Sequence, residues 1–352
     1  MLCPRLITAL RVAVGLALLS FAPYSTAQRS CLHSPPKNSC FGHFTFWTGD
    51  TYLPYGSACL CGDGVPRMYT DCWVATDQCS GICIDCELYG GQPINLSSGN
   101  TFITQTDVSL PGLGGGINLT RTWNSITLGT AIAGKMFGLG WTSTYEERIF
   151  IDDDDGLVKY ARGNGDLWSF GVTTLYANGG TQTIYSMVAP RNAGATLVSD
   201  GTYLTLTFKG GEKRIFDRAS GRLLSISDRN ANITQLTYDA SSHLTTVTDA
   251  ASRHLYFTYT SYGVNSFVTS VASDFGVSLS YTYDGVDLSR VTKPDNKFIT
   301  FDRTYQAGLL TSLTVKDQDG KVLASHTFEL SGRGTSSQRA NGVDAMSVTY
   351  VQ

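Results

Sequence analysis

The sequence predicts an all-β protein in which antiparallel β-hairpin repeats are preceded by a small disulfide-rich module. Three observations carry that expectation: a composition of strand and turn formers, period-two alternation over several stretches, and cysteines gathered at one end. The 352 residues suffice for about two domains. They include 37 Gly, 18 Tyr and 16 Phe, residue types of tight turns and half-buried strands. At 42% hydrophobic the chain can fill a core, which argues against general disorder. A formal net charge of −3 with 16% charged residues lacks the basic stripe that phosphates demand, so a nucleic-acid surface is not expected.

The first element is a leader. Arg5 and Arg11 precede an apolar run from Val12 to Phe21, and Ser25-Thr26-Ala27 follows. Charge, then apolar, then small residues is the order of a secretory signal. The run is shorter than the roughly 20 residues that span a bilayer. Residues 1–27 are therefore read as a signal peptide with cleavage after Ala27. Departure of Arg5 and Arg11 takes the formal net charge from −3 to −5, since no acidic residue precedes Gln28. The expected destination is the cell surface or the medium, with the periplasm as a third compartment, and no later segment reads as a membrane span.

Export governs the reading of the next element, residues 28–90. Cys31, Cys40, Cys59, Cys61, Cys72, Cys79, Cys83 and Cys86 fall in it, and no cysteine follows Cys86. An even set in a short exported segment is the pattern of a disulfide-stapled module too small to hold itself by core burial. The pairing is left open. Zinc is the competing chemistry, because Cys83-x-x-Cys86 with Cys59-x-Cys61 could supply four thiolates, but an oxidising compartment favours disulfides. Phe41, Phe44, Phe46, Trp47, Tyr52, Tyr55 and Trp73 are read as the small core around the cystines rather than as a sugar-binding surface.

Beyond Gly91 the texture becomes that of strands. Leu204, Leu206 and Phe208 alternate with Thr205 and Thr207. Val277, Leu279, Tyr281 and Tyr283 alternate with polar residues, and Val322, Ala324, His326, Phe328 and Leu330 repeat the scheme. A self-similar fragment then recurs: Leu223-x-x-Ile226, Leu244-x-x-Val247, Val268-x-x-Val271, Leu288-x-x-Val291 and Leu310-x-x-Leu313, at spacings of 21, 24, 20 and 22 residues. Phe216-Asp217, Tyr238-Asp239 and Tyr283-Asp284 precede three of these fragments. An aspartate after each opens a polar turn, as at Asp228, Asp249 and Asp295. About 22 residues make two short strands and two turns, one hairpin per unit. Apolar residues three apart point to opposite faces of a regular strand. Leu244 and Val247 therefore require either a bulge or cover on both faces.

These units, above all Phe216-Asp217-Arg218-Ala219-Ser220-Gly221-Arg222-Leu223 and Tyr238-Asp239-Ala240-Ser241-Ser242-His243-Leu244, resemble the YD repeats of RHS (rearrangement hot spot) proteins. That family includes polymorphic toxins and is related to teneurins and to the cocoon components of insecticidal toxin complexes. The stretch before the repeats resembles the domain that precedes the RHS shell. Its pieces are Pro93 to Asn100 (with Gly99), Thr106-Asp107, Leu110-Pro111-Gly112, Arg121-Thr122-Trp123-Asn124-Ser125, Phe137-Gly138-Leu139-Gly140-Trp141 and Asn164 to Phe170. Gln92 and Trp123 depart from the usual Asp and Tyr.

The resemblance implies a curved or spiralling sheet, a partial shell that binds or encloses another polypeptide such as a downstream toxin segment. It divides the chain into a pre-shell β domain at 91–200 and YD-type repeats at 201–352. With five or six units, a closed cocoon is not expected. The expected function is an exported, non-enzymatic scaffold needing no cofactor; the alternative is a cell-surface module that binds carbohydrate or protein.

Other candidate chemistry is thin. Asp152 to Asp155 and Asp317-Gln318-Asp319-Gly320 read as solvated turns rather than Ca²⁺ loops. Gly112 to Gly116 lacks the Lys-Ser/Thr of a phosphate loop. No nucleophile elbow accompanies His243, His254 or His326, which leaves a hydrolase as the remote reading. Asn95, Asn118 and Asn232 begin glycosylation sequons.

Overall fold

The computed structural model describes residues 58–60, 66–68, 89–90, 94–96, 98–126, 136–152, 156–176, 182–190 and 193–350. The expected signal peptide, Pro93, Asp153 to Asp155 and every cysteine of the 28–90 module except Cys59 lie outside those residues. Cys59 sits in the strand Ala58–Leu60, paired antiparallel with Pro66–Met68. This hairpin belongs to one compact unit, and the described residues from Tyr89 onward belong to another.

The second unit is almost entirely strand. A leading three-stranded antiparallel sheet comprises Phe102–Leu110, Ile117–Asn124 and Trp141–Ser143. The glycine run between its first two strands is a tight reversal. Gly114, Gly115 and Gly116 take positive φ, and a Cβ on Gly116 would stand 2.1 Å from the Leu110 carbonyl oxygen.

From Arg148–Ile151 to Met346–Ser347, nineteen strands then pair antiparallel, each with its neighbours in the chain, in one sheet that curls on itself. The sheet continues through 199–204 as a hairpin. Its first strand reaches the corner of the first repeat: the Ile149 N–H donates to the Gly221 carbonyl at 2.9 Å, and Arg148 bridges Arg222. Gly221, at φ 70°, admits this approach because a Cβ there would lie 1.8 Å from the Ile149 carbonyl oxygen.

The repeats settle the three-residue spacing. In each of six units one residue is left unpaired opposite the partner strand: Leu224, Thr245, Thr269, Ser289, Thr311 and Thr335. The bulge adds one residue to the step, so Leu244 and Val247 share the buried face, as do Leu288 and Val291. A hydroxyl at the bulge then serves a carbonyl of the partner strand. Thr245 Oγ1 donates to the Thr237 carbonyl at 3.1 Å, Ser289 Oγ to Thr282 at 3.0 Å and Thr311 Oγ1 to Thr304 at 3.1 Å.

The motif tyrosines stitch neighbouring units at the same place. Tyr238 donates its hydroxyl to the Leu223 carbonyl at 2.7 Å, and Tyr283 donates to Val268 at 2.6 Å. Leu330, expected on the buried face, is exposed because its strand ends at Phe328. Val322 also leaves that face, at a bulge before Ala324.

The repeat aspartates build the turns. Asp228 Oδ1 accepts the amides of Asn230 and Asn232, Asp239 Oδ1 that of His243, and Asp217 Oδ1 that of Ser220. Ala231, Ser242 and Ser252 hold the positive-φ positions these reversals need. The Ser220 hydroxyl and amide hold Asp217 below the usual carboxylate range, the Asn232 side chain does so for Asp228, and the His243 amide for Asp239.

Two outcomes are expected. Tyr238→Phe removes one partly buried hydrogen bond and should lower unfolding free energy by about 1 kcal/mol, read from urea titration. The turn carboxylates have folded pKa values below their unfolded ones, so their contribution is full above the ordinary value near ~4 and lost as pH falls through the depressed values. The urea midpoint should fall as pH drops below about 4, and less steeply when Asp217, Asp228 and Asp239 are all changed to Asn; an unchanged slope would remove the turns from the acid response.

Candidate functional site where the leading sheet meets the repeats

The motif residues of the leading segment converge on the repeats. Four aromatic side chains each meet a ring on a different strand of the large sheet. Tyr145 meets Phe257 (centroids 6.4 Å apart), Phe137 meets Tyr281 (5.0 Å), Trp141 meets Phe301 (5.2 Å) and Trp123 meets Phe328 (5.7 Å). All belong to one apolar core shared by both sheets.

The glycines of Phe137-Gly138-Leu139-Gly140-Trp141 let backbone approach backbone. Gly138, at φ 88°, would place a Cβ 2.5 Å from the Val286 carbonyl oxygen, which accepts the Leu139 N–H at 2.8 Å. Gly140, at φ 78°, lies against Trp123.

Asn100 and Asn124 tie the loops beside this core. Asn100 Nδ2 donates to Asn124 Oδ1 at 2.8 Å, and Asn124 Nδ2 to the Asn164 carbonyl at 3.1 Å. Gly99 turns against Arg333, and its carbonyl accepts the Gly334 N–H at 2.8 Å. Asn95 is fully buried, which closes its sequon to a glycosylating enzyme in the folded chain.

At the centre is a buried ion pair. Arg121, fully buried, donates through Nη2 to Asp107 Oδ1 at 2.9 Å and through Nε to Asp107 Oδ2. Asp107 Oδ2 also accepts the Tyr281 hydroxyl at 2.7 Å. The guanidinium lies over Trp141 at 4.6 Å, Tyr281 at 5.2 Å and Phe137 at 5.4 Å. Burial works against the charge of Arg121, but the attraction and hydrogen bonds of Asp107 prevail and raise its pKa. Burial, reinforced by the Asp107 charge, pushes the Tyr281 phenol far upward.

In the sequence Asp107 stands only within a motif and Tyr281 only on an alternating strand. The register brings them to Arg121: Asp107 is the unpaired residue between Thr106 and Val108, and that bulge turns it toward the guanidinium.

A second polar cluster joins the first strands of the sheet. Glu147 Oε2 accepts the Tyr160 hydroxyl at 2.7 Å and Arg214 Nε at 3.0 Å, beneath the buried ring of Phe216. Lys159 Nζ donates to Ser169 Oγ at 3.0 Å, but both side chains are buried, so the pair offers no nucleophile to a substrate. His243 stacks on Tyr259, and His254 bonds Asp274. His326 is buried beside Ser337, and burial drives its pKa down to about 4. Of the repeat motif residues, Asp217 and Asp239 serve turns, Tyr238 and Tyr283 the stitches, and Asp284 pairs with Asp287 at a hairpin end.

The chemistry of this site is cohesive. Arg121→Met should cost about 3–5 kcal/mol, because it leaves the Asp107 carboxylate buried without its counter-charge. The triple change Arg121→Met, Asp107→Leu, Tyr281→Phe should recover most of that loss in the same urea titration; no recovery would assign the cost to packing alone.

Comparison with known proteins gives two family matches. Residues 91–170 match a domain of unknown function, DUF6531, and residues 216–254 match the RHS repeat. The tRNA3(Ser)-specific nuclease WapA of Bacillus spizizenii and the tRNA nuclease WapA of Bacillus subtilis are each 26% identical over 152 residues, 43% of this chain. The chain spans 6% of the length of either relative. Among solved structures, TcdB2-TccC3 without its hypervariable C-terminal region is 12% identical over 68% of this chain and 16% of that one, with a TM-score of 0.30. The Photorhabdus luminescens Tc holotoxin pore is 14% identical over 56% and 11%, with a TM-score of 0.25. The RHS-repeat match falls on the first two bulged units, with the Tyr238 stitch between them, and the other match on the leading sheet and the first strands of the large one; the chain accordingly carries RHS/YD-type repeats.

Proposed function

We propose that this protein is an exported, non-enzymatic scaffold whose curled sheet binds or encloses another polypeptide. The observation that carries the reading is the use made of the motif residues. Arg121, Trp123, Asn124, Trp141, Tyr238 and Tyr283 are occupied in joining strand to strand and sheet to sheet, as a wall requires. The RHS-repeat match supports a scaffold role. The nuclease named for the WapA relatives belongs to proteins of which this chain spans a small part.

In this reading residues 1–27 direct export, 28–90 form a disulfide-linked module, 91–200 dock as the pre-shell domain and 201–352 supply the repeats. No helix among the described residues is long and apolar enough to cross a membrane.

The full chain, recovered from the medium of its host, should begin at Gln28 and bind reduced, carboxymethylated α-lactalbumin saturably, shielding it from trypsin, while ignoring the native form. Glycan binding without polypeptide binding would replace the proposal with the adhesion reading. Multiple-turnover cleavage of tRNA by the pure chain would replace it with an enzymatic one.

A further inference from the structure

A cavity of about 310 Å³ opens where the first strand of the large sheet meets the first two repeats. Its polar wall includes Glu146, Glu147, Arg148, Arg162 and Arg222, and its rings and apolar part include Tyr145, Tyr238, Met136 and Leu244. The chain path creates the charge pattern. Gly221 lets the first strand approach the repeat corner, and the resulting bridge sets Arg148 directly opposite Arg222. Directly opposed residues of an antiparallel pair project from the same face, and the Arg148 guanidinium also lies over the Phe150 ring at 5.8 Å. Three guanidinium groups thus border one hollow.

The neighbouring charges are differently committed. Arg162 pairs with Asp166 at 3.1 Å and lies over Trp168 at 4.8 Å. Glu147 holds Tyr160 and Arg214, and Glu146 Oε1 accepts the Met136 N–H at 2.8 Å. Arg222 gives its Nε to Ser220 Oγ at 3.0 Å and rests on the Tyr238 ring at 4.9 Å. Among the described residues its terminal nitrogens meet no acceptor.

We propose that this cavity binds a small organic carboxylate with an apolar body. The planar Arg222 fork matches a carboxylate in geometry and charge, with Arg148 alongside. Glu146 and Glu147 in the same wall repel a dianion more strongly than a monoanion, which favours a carboxylate over a phosphate monoester. The Tyr145 and Tyr238 rings with Met136 and Leu244 supply the surface against which an aromatic body packs. The volume exceeds the roughly 150 Å³ that accommodates benzene in an apolar cavity and suits a ring carrying one carboxylate.

Isothermal titration of the full chain with benzoate and with its neutral isostere benzamide tests the assignment. Benzoate should bind saturably, benzamide should not, and Arg222→Gln should weaken benzoate by about tenfold or more. Arg222 lies at a half-exposed corner, and an unchanged far-ultraviolet spectrum establishes that the variant is folded. The benzamide comparison needs no variant. Equal binding of the two ligands, benzoate binding unaffected by Arg222→Gln, or no saturable benzoate binding at millimolar concentration would each overturn the proposal.

Discussion

The pairing of Arg121 with Asp107 is the constraint around which the leading sheet and the repeats are organised. A guanidinium and a carboxylate removed from water are each costly, and an ion pair in such a place depends on close geometry and on further partners for its charges. Here the carboxylate receives two nitrogens of Arg121 and the hydroxyl of Tyr281, a residue 174 positions away. Three rings face the cation. Arg121 and Asp107 lie on paired strands of the leading sheet, so a different docking would keep the pair but take away the Tyr281 hydroxyl and its ring. It is the contact of the pair with Tyr281 that specifies position.

Around that point the contacts repeat with the period of the repeats. Trp123, Phe137, Trp141 and Tyr145 each reach a different strand, so the leading segment ties several units that otherwise contact chiefly their neighbours. Within the repeats the bulge performs the corresponding local task. It returns two apolar residues to one face, frees a carbonyl that a threonine or serine hydroxyl satisfies, and offers another carbonyl to the tyrosine of the next unit. A hairpin that buries one face and bonds its neighbour at the bulge can be added repeatedly without new chemistry, as a wall demands.

The same economy extends to polar side chains within the wall: Lys159 bonds Ser169, Glu147 holds Tyr160 and Arg214, and His326 lies beside Ser337. The carboxylate cavity differs in kind, since it arises where the curling sheet brings its first strand to the corner of its first repeat.

The all-β class, the hairpin repeat and the role of its aspartates were legible in the amino-acid order, because turns and strand alternation depend on residues a few positions apart. The Leu-x-x-Val spacing even posed the choice between a bulge and two-sided burial. Only the tertiary structure decided in favour of the bulge, because register is a property of two strands and not of one. The same holds for the placement of Asp107 by its own bulge, for the meeting of Arg121 with Tyr281 and for the opposition of Arg148 and Arg222. Each depends on how a twisted sheet curls over many strands, and that accumulated geometry has no local signature in the sequence.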